Sequence, residues 1–97
     1  MRIVFRASAV ADLKWFRRYY RAVFREGEKN ARHHYRQAYR LLLDHPLAGR
    51  SLGPETPVRE LTIARTPFSL VYYVTGGEIM VIRVLDGRGE RPEDLGG

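Results

Sequence analysis

Arg83, Asp86, Arg88 and Arg91 stand close together in VIRVLDGRGER, residues 81–91, and Arg59 and Arg65 precede them on segments of alternating polarity. A guanidinium offers a planar fork of donors that matches phosphate and carboxylate, so Arg59, Arg65, Arg83 and Arg88 could form a clamp for an anionic target. A clamp alone moves no proton. Nuclease chemistry on such a set needs a general acid or base near neutral pH, a task for which an exposed carboxylate with a reference pKa of about 3.9 is poorly matched. The three histidines do not supply it in an obvious way. His33 and His34 are adjacent and point about 100° apart on a helix, whereas zinc ligands recur at i and i+4; His45 is remote from both. There is no cysteine, DGRGE does not follow a phosphate-loop pattern, and Ser51 and Ser69 have no triad spacing to a histidine and a carboxylate. Neither a metal nor an organic cofactor is expected.

Arg83 is the most informative of the cations. In IMVIRVL strict alternation gives it the phase of Ile79, Val81 and Leu85, where a charge lies at an edge, in a groove or in a pair, with Glu60 as the candidate partner. The rest of the charge lies on helical segments. Arg18, Arg21 and Arg25 recur at i, i+3, i+7, and Arg32, Arg36 and Arg40 at i, i+4, i+8, alongside Arg17. Two readings stay open: a solvated outer face, or an electrostatic rail for an anionic partner. Seventeen Lys+Arg against eleven Asp+Glu leave a net charge of +6, and fifteen of the cations are arginine. A GC-rich coding sequence produces the same Arg:Lys ratio, but it does not remove the net charge, which favours nucleic acid, a nucleic-acid machine or an acidic protein segment as partner.

These side chains need a scaffold, and 97 residues with 44% hydrophobic content suit one domain with a modest core. RIVFR (2–6) reads as a strand, with Ser8 as the N-cap of a following helix. Val10, Leu13, Phe16, Tyr20 and Val23 recur as one helical face, and Gly27 marks the turn to a second helix that turns Ala31, Tyr35, Ala38, Leu42 and partly Leu41 inward. Pro46 ends that helix, and 44–57 is expected to be irregular. Residues 58–64, 68–74 and 78–85 read as three strands, with a tight hairpin at Thr75-Gly76-Gly77. Phe68, Leu70, Tyr72 and Val74 face one side of the sheet, Val71 and Tyr73 the other. The expected fold is α+β in the order β-α-α-β-β-β, a small, mostly antiparallel sheet with a helical hairpin on one face. One domain spans 1–91 and a polar tail 92–97. No apolar run approaches membrane-spanning length, and the opening residues are too quickly polar for a signal peptide, so the expected location is the cytoplasm.

Taken together, ADL in the first helix, DHPLAGRSLG, VRELTIARTPFSLVYYV and VIRVLDGRGERPEDL resemble the RelE/ParE superfamily of toxins from bacterial type II toxin–antitoxin pairs, over about residues 3–91. The VREL…TPFSLVYYV…IRVL segment is more similar to ParE than to RelE. The resemblance implies the fold read above and a choice of mechanism: RelE-like members cleave mRNA on the ribosome, whereas ParE-like members poison DNA gyrase. Many relatives carry a histidine after the last strand, where this chain has Asp86, and no tyrosine follows Tyr73. The expectation is therefore a gyrase-inhibiting toxin that is not an enzyme, using Arg59, Arg65, Arg83, Asp86, Arg88 and Arg91 against its target. The alternatives are a metal-independent, ribosome-dependent endoribonuclease using Arg59, Arg83 and Arg88, and a weakly toxic component of an antitoxin–operator repressor complex. The implied partners are gyrase or the ribosome and a cognate antitoxin with an acidic C-terminal segment, through which alone operator DNA is reached. Trp15, Tyr19 and Tyr39 are the expected anchors for the antitoxin in a hetero-oligomer, with Tyr20 more suited to the core.

Overall fold

The computed structural model describes residues 1–23 and 27–86, leaving aside the side chains of Tyr20, Val23, Glu28 and Ala31. The element order is β1 (Arg2–Phe5), α1 (Ala7–Val23), α2 (Gly27–Asp44), β2 (Arg50–Ser51), β3 (Arg59–Thr62), β4 (Phe68–Thr75) and β5 (Glu78–Asp86). The strands form one sheet in the order β1-β5-β4-β3-β2, with β1 parallel to β5 and every other pairing antiparallel. This is the expected α+β arrangement, with one strand more than the sequence indicated: Arg50 and Ser51 pair with Glu60 and Arg59 inside the segment expected to be irregular.

Both helices pack on one face of the sheet. Ala9 and Phe16 of α1 and Ala38 and Leu42 of α2 are buried with Ile63, Phe68, Leu70, Tyr72, Ile79, Val81 and Val84. The Phe16 and Phe68 rings meet edge-on at 4.6 Å, a geometry worth about 0.5–1.5 kcal/mol beyond area burial. Phe68, Leu70 and Tyr72 share the helix-facing side as the alternation of β4 predicted, with Val74 packed against the cluster. Gly76 and Gly77 turn the β4–β5 hairpin at φ +51 and +85, the two positive values a two-residue primed turn requires.

The helices differ in detail from the sequence reading. Val10 is 41% exposed and the buried stripe of α1 runs through Ala9, Asp12 and Phe16 instead, because α1 leans its side chains on the edge of β5 as well as on the core. Leu41 is also 41% exposed, so α2 seals the core through Ala38 and Leu42. Ser8 does not cap α1: the helix already begins at Ala7, with Arg6 O accepting from Val10 N, and Ser8 Oγ donates instead to the β5 carbonyl of Ile82. Gly27 is the first residue of α2, and the turn itself lies outside the described residues. None of the described helices is long and apolar enough to cross a membrane.

Candidate functional site

The chemistry of β5 is set by one extra residue. Val71 pairs with Arg83 and Tyr72 with Val81, so Ile82 has no partner on β4 and forms a bulge. The bulge resets the alternation: Ile79 and Val81 are buried before it, Val84 and Asp86 after it. Arg83 therefore does not share the phase of Ile79 and Val81. Asp86 is not an exposed carboxylate either; it is 6% exposed, opposite Phe68 at the end of β5.

β1 stops at Phe5 while β5 continues to Asp86, which leaves the far half of β5 without a strand on that edge. The side chains of α1 take over. Arg6 N donates to Val81 O at 3.0 Å, Ser8 Oγ to Ile82 O at 2.6 Å, and Val84 N donates to Asp12 Oδ2 at 2.7 Å. Ser8 and Asp12 are one helical turn apart, about 6 Å along the axis, and Ile82 and Val84 are about 6.6 Å apart along a strand, so the two spacings match. Asp12 is 1% exposed and accepts a second partner: Arg83 Nε donates to Oδ2 at 2.8 Å and its Nη2 to Oδ1 at 3.3 Å. The partner of Arg83 is thus Asp12, not Glu60, whose carboxylate pairs with Arg50 at 2.7 Å on the surface.

A second arginine is committed in the same way. Arg59 Nη1 donates to Gly49 O at 2.9 Å and to Leu47 O at 3.4 Å, while Gly49 N donates to Tyr72 Oη at 2.8 Å. Both ends of Gly49 are thereby fastened to the sheet. A Cβ on Gly49 would meet Tyr72 Oη and a ring carbon at 2.8 Å and Glu60 O at 2.9 Å, so only glycine fits this approach. Burial raises the Tyr72 phenol pKa, against opposing pulls from the Gly49 N–H and Arg59. A phenol held protonated in this way is a poor base at neutral pH.

The expected clamp is not assembled. Arg59 lies opposite Tyr72 on β3 and Arg83 opposite Val71 on β5, with β4 between them, about 10 Å from strand to strand. Because Tyr72 and Val71 face opposite sides of β4, the two arginines are on opposite phases of the sheet. Arg65 is exposed at the turn between β3 and β4, at φ 64. Arg88 and Arg91 lie outside the described residues. Trp15 and Tyr19 form a ring pair at 5.8 Å, with Tyr19 also against Phe68 at 5.8 Å, whereas Tyr39 meets Tyr35 at 6.1 Å beside Phe5. The three expected anchors therefore belong to two separate aromatic clusters. Trp15 Nε1 is buried without a hydrogen-bond partner.

A feature missed by the sequence reading is a groove of ≈ 510 Å3 along α1 and α2. Val10, Leu13, Phe16 and Tyr35 supply its apolar wall, and Lys14, Arg17, Arg32 and Arg36 its charged rim. The available signal was the excess of apolar positions on α1: one of them had to remain outside the core, and it is Val10. Burial and the neighbouring Tyr39 push the Tyr35 phenol up to about 12. Among the described residues no group of His, Asp and Glu is arranged to hold a metal ion.

A five-stranded mixed sheet bearing a helical hairpin on one face is the fold of a class of small α+β toxins. A solved structure described as the chromosomal ParDE TA system from P. aeruginosa matches with a TM-score of 0.68 and 30% sequence identity, over 87% of this chain and 92% of that chain. No curated protein matches. The family model for the ParE toxin of the type II toxin–antitoxin system parDE matches residues 3–91. The chain belongs to the ParE toxin family of type II toxin–antitoxin systems.

Proposed function

We propose that this chain inhibits DNA gyrase by protein–protein contact in the cytoplasm and is neutralised by a cognate antitoxin. The observation that carries this reading over a ribosome-dependent nuclease is the commitment of Arg59 and Arg83. One holds the carbonyls of Leu47 and Gly49, the other holds Asp12, and they sit on opposite phases of the sheet. Asp86, in the position where many relatives carry a histidine, is buried. A contact mechanism needs no proton shuttle, and of the cations assigned to the target Arg65 is exposed, while Arg88 and Arg91 lie outside the described residues.

The groove between the helices supports the antitoxin half of the proposal. An apolar wall within a cationic rim suits an amphipathic acidic segment that folds as it binds, pairing i, i+3 and i+4 anchors with the wall and carboxylates with the rim. The half-exposed Trp15, Tyr19 and Tyr39 extend the aromatic surface available to such a wrap. The test is a supercoiling assay: the purified chain is titrated into gyrase, relaxed plasmid and ATP. Supercoiling is expected to fall with added chain and to recover on addition of stoichiometric antitoxin. Full supercoiling at micromolar excess of folded chain, with mRNA cleaved on translating ribosomes instead, contradicts the reading. Val10→Asp, at a position already exposed in the free chain, is expected to weaken antitoxin binding at least tenfold in calorimetric titration while leaving the thermal midpoint nearly unchanged.

A further inference from the structure

The positive charge of this chain is segregated. Residues 14–40 hold nine Lys+Arg and two Glu, a net +7, while the remainder holds eight Lys+Arg and nine Asp+Glu, a net −1. Residues 14–40, the middle of the helical hairpin, thus hold the excess of positive charge. On α1 the cations Lys14, Arg17, Arg18 and Arg21 fall within an arc of about 100°, on the side opposite the buried Asp12 and Phe16. All four are exposed, and together they line a second, smaller groove whose wall is made of cations alone. Like charges at i, i+3 and i+4 disfavour an isolated helix by a few tenths of a kcal/mol per pair.

We infer that this face of α1, at Lys14, Arg17, Arg18 and Arg21, binds the phosphate backbone of duplex DNA directly. The contact goes beyond gyrase inhibition and does not depend on it. It also gives the chain a DNA contact of its own, rather than one routed only through the antitoxin. An acidic protein partner fits this stripe less well, because protein interfaces draw most of their energy from buried aromatic and apolar anchors and this groove wall has none. The apolar-walled groove beside it has them and shares Lys14 and Arg17 with this stripe, so duplex DNA and an antitoxin segment compete for those two cations, while Arg18 and Arg21 line the stripe alone. Single-stranded nucleic acid fits less well too, because it is held by stacking bases on aromatic side chains. A purely cationic, sequence-blind row spanning about 10 Å along the helix axis matches a duplex backbone, to which such contacts supply position without reading bases.

The test is fluorescence anisotropy of a labelled 20-base-pair duplex of arbitrary sequence, titrated with the purified full chain across a range of salt. Affinity is expected to fall steeply with salt, with a log–log slope of about −3.6 if each of four cations meets one phosphate. The variant K14Q/R17Q/R18Q/R21Q is expected to lose at least tenfold in affinity and most of that slope. A control with four exposed cations removed elsewhere, R2Q/R6Q/R40Q/R50Q, is expected to retain affinity within threefold. Both variants are compared at equal helical circular dichroism. Equal losses in the two variants overturn the inference, because they trace binding to overall charge. So does the absence of duplex binding at low salt, tighter binding to a single strand, or equally tight binding to polyglutamate.

Discussion

Asp12 accepts from the Val84 backbone and from the Arg83 guanidinium at once, so its removal takes an acceptor from two donors, one of them in the core. Breaking a buried charge pair in this way costs about 3–5 kcal/mol in other proteins. Arg83 keeps 38% of its side chain exposed and can rehydrate, so Asp12→Ala is expected to cost about 2–4 kcal/mol in denaturant unfolding. Arg83→Met, which leaves Asp12 bonded to Val84 N, is expected to cost less than Asp12→Ala. Gly49→Ala forces the new methyl against Tyr72 Oη and Glu60 O and is expected to destabilise by about 1–3 kcal/mol in the same measurement. Tyr35 supplies a pH signature. Its phenol ionises at about 12 when folded, against 10.0 for an unperturbed phenol. Between those values the unfolded chain loses the proton first, so the contribution of Tyr35 to stability is constant below pH 10 and falls as pH rises from 10 to 12, by up to about 2 kcal/mol after allowance for solvent screening of a partly exposed group. Tyr35→Phe is expected to flatten that part of the stability–pH curve. The role of Asp12 was not legible in the sequence. A carboxylate on a helix ordinarily faces water, and nothing in ADLKW reveals that a strand edge five residues longer than its neighbour awaits it.

At the scale of elements, the period-two segments and the hairpin turn were readable because each is a local property. Phe68, Leu70, Tyr72 and Val74 recur at every second position, and glycine adopts the successive positive φ values at 76 and 77 without strain. Gly77→Ala is accordingly expected to cost about 1–2 kcal/mol, whereas Gly76→Asn is expected to cost less, since Asn tolerates the left-handed region; thermal unfolding distinguishes the two. The bulge at Ile82 was not readable. EIMVIRVLD contains no glycine or proline to mark a break, yet one inserted residue moved Arg83 off the phase of Val81 and turned Asp86 inward. The same limit explains β2: two residues are too few to show a period, and their pairing with β3 is a consequence of where Arg59 and Tyr72 fasten Gly49. For α1, periodicity gave the existence of the helix but not its rotation. The choice between Val10 and Ala9 for the core depends on Ser8 and Asp12 reaching β5.

For the whole molecule, the sheet is the rigid support and the helical hairpin carries the surfaces. Its inner side seals the core, its flank presents an apolar-walled groove, and its outer side carries the positive charge. The arginines that drew attention in the sequence divide accordingly. Arg59 and Arg83 hold the scaffold together, which composition and spacing could not show because both depend on contacts far along the chain. The division of labour makes a mutational prediction: Arg65→Ala is expected to shift the thermal midpoint by no more than about 3 °C, as exposed sites away from packed features change stability little, while weakening the proposed gyrase inhibition severalfold. The proposed action on DNA topology rather than on mRNA is tested most directly by the linking-number distribution of a reporter plasmid, read on chloroquine gels within minutes of inducing this chain without its antitoxin. Progressive loss of negative supercoiling is expected, prevented when the antitoxin is expressed alongside, with messenger RNA intact. Unchanged plasmid topology accompanied by cleavage of translated messages contradicts it.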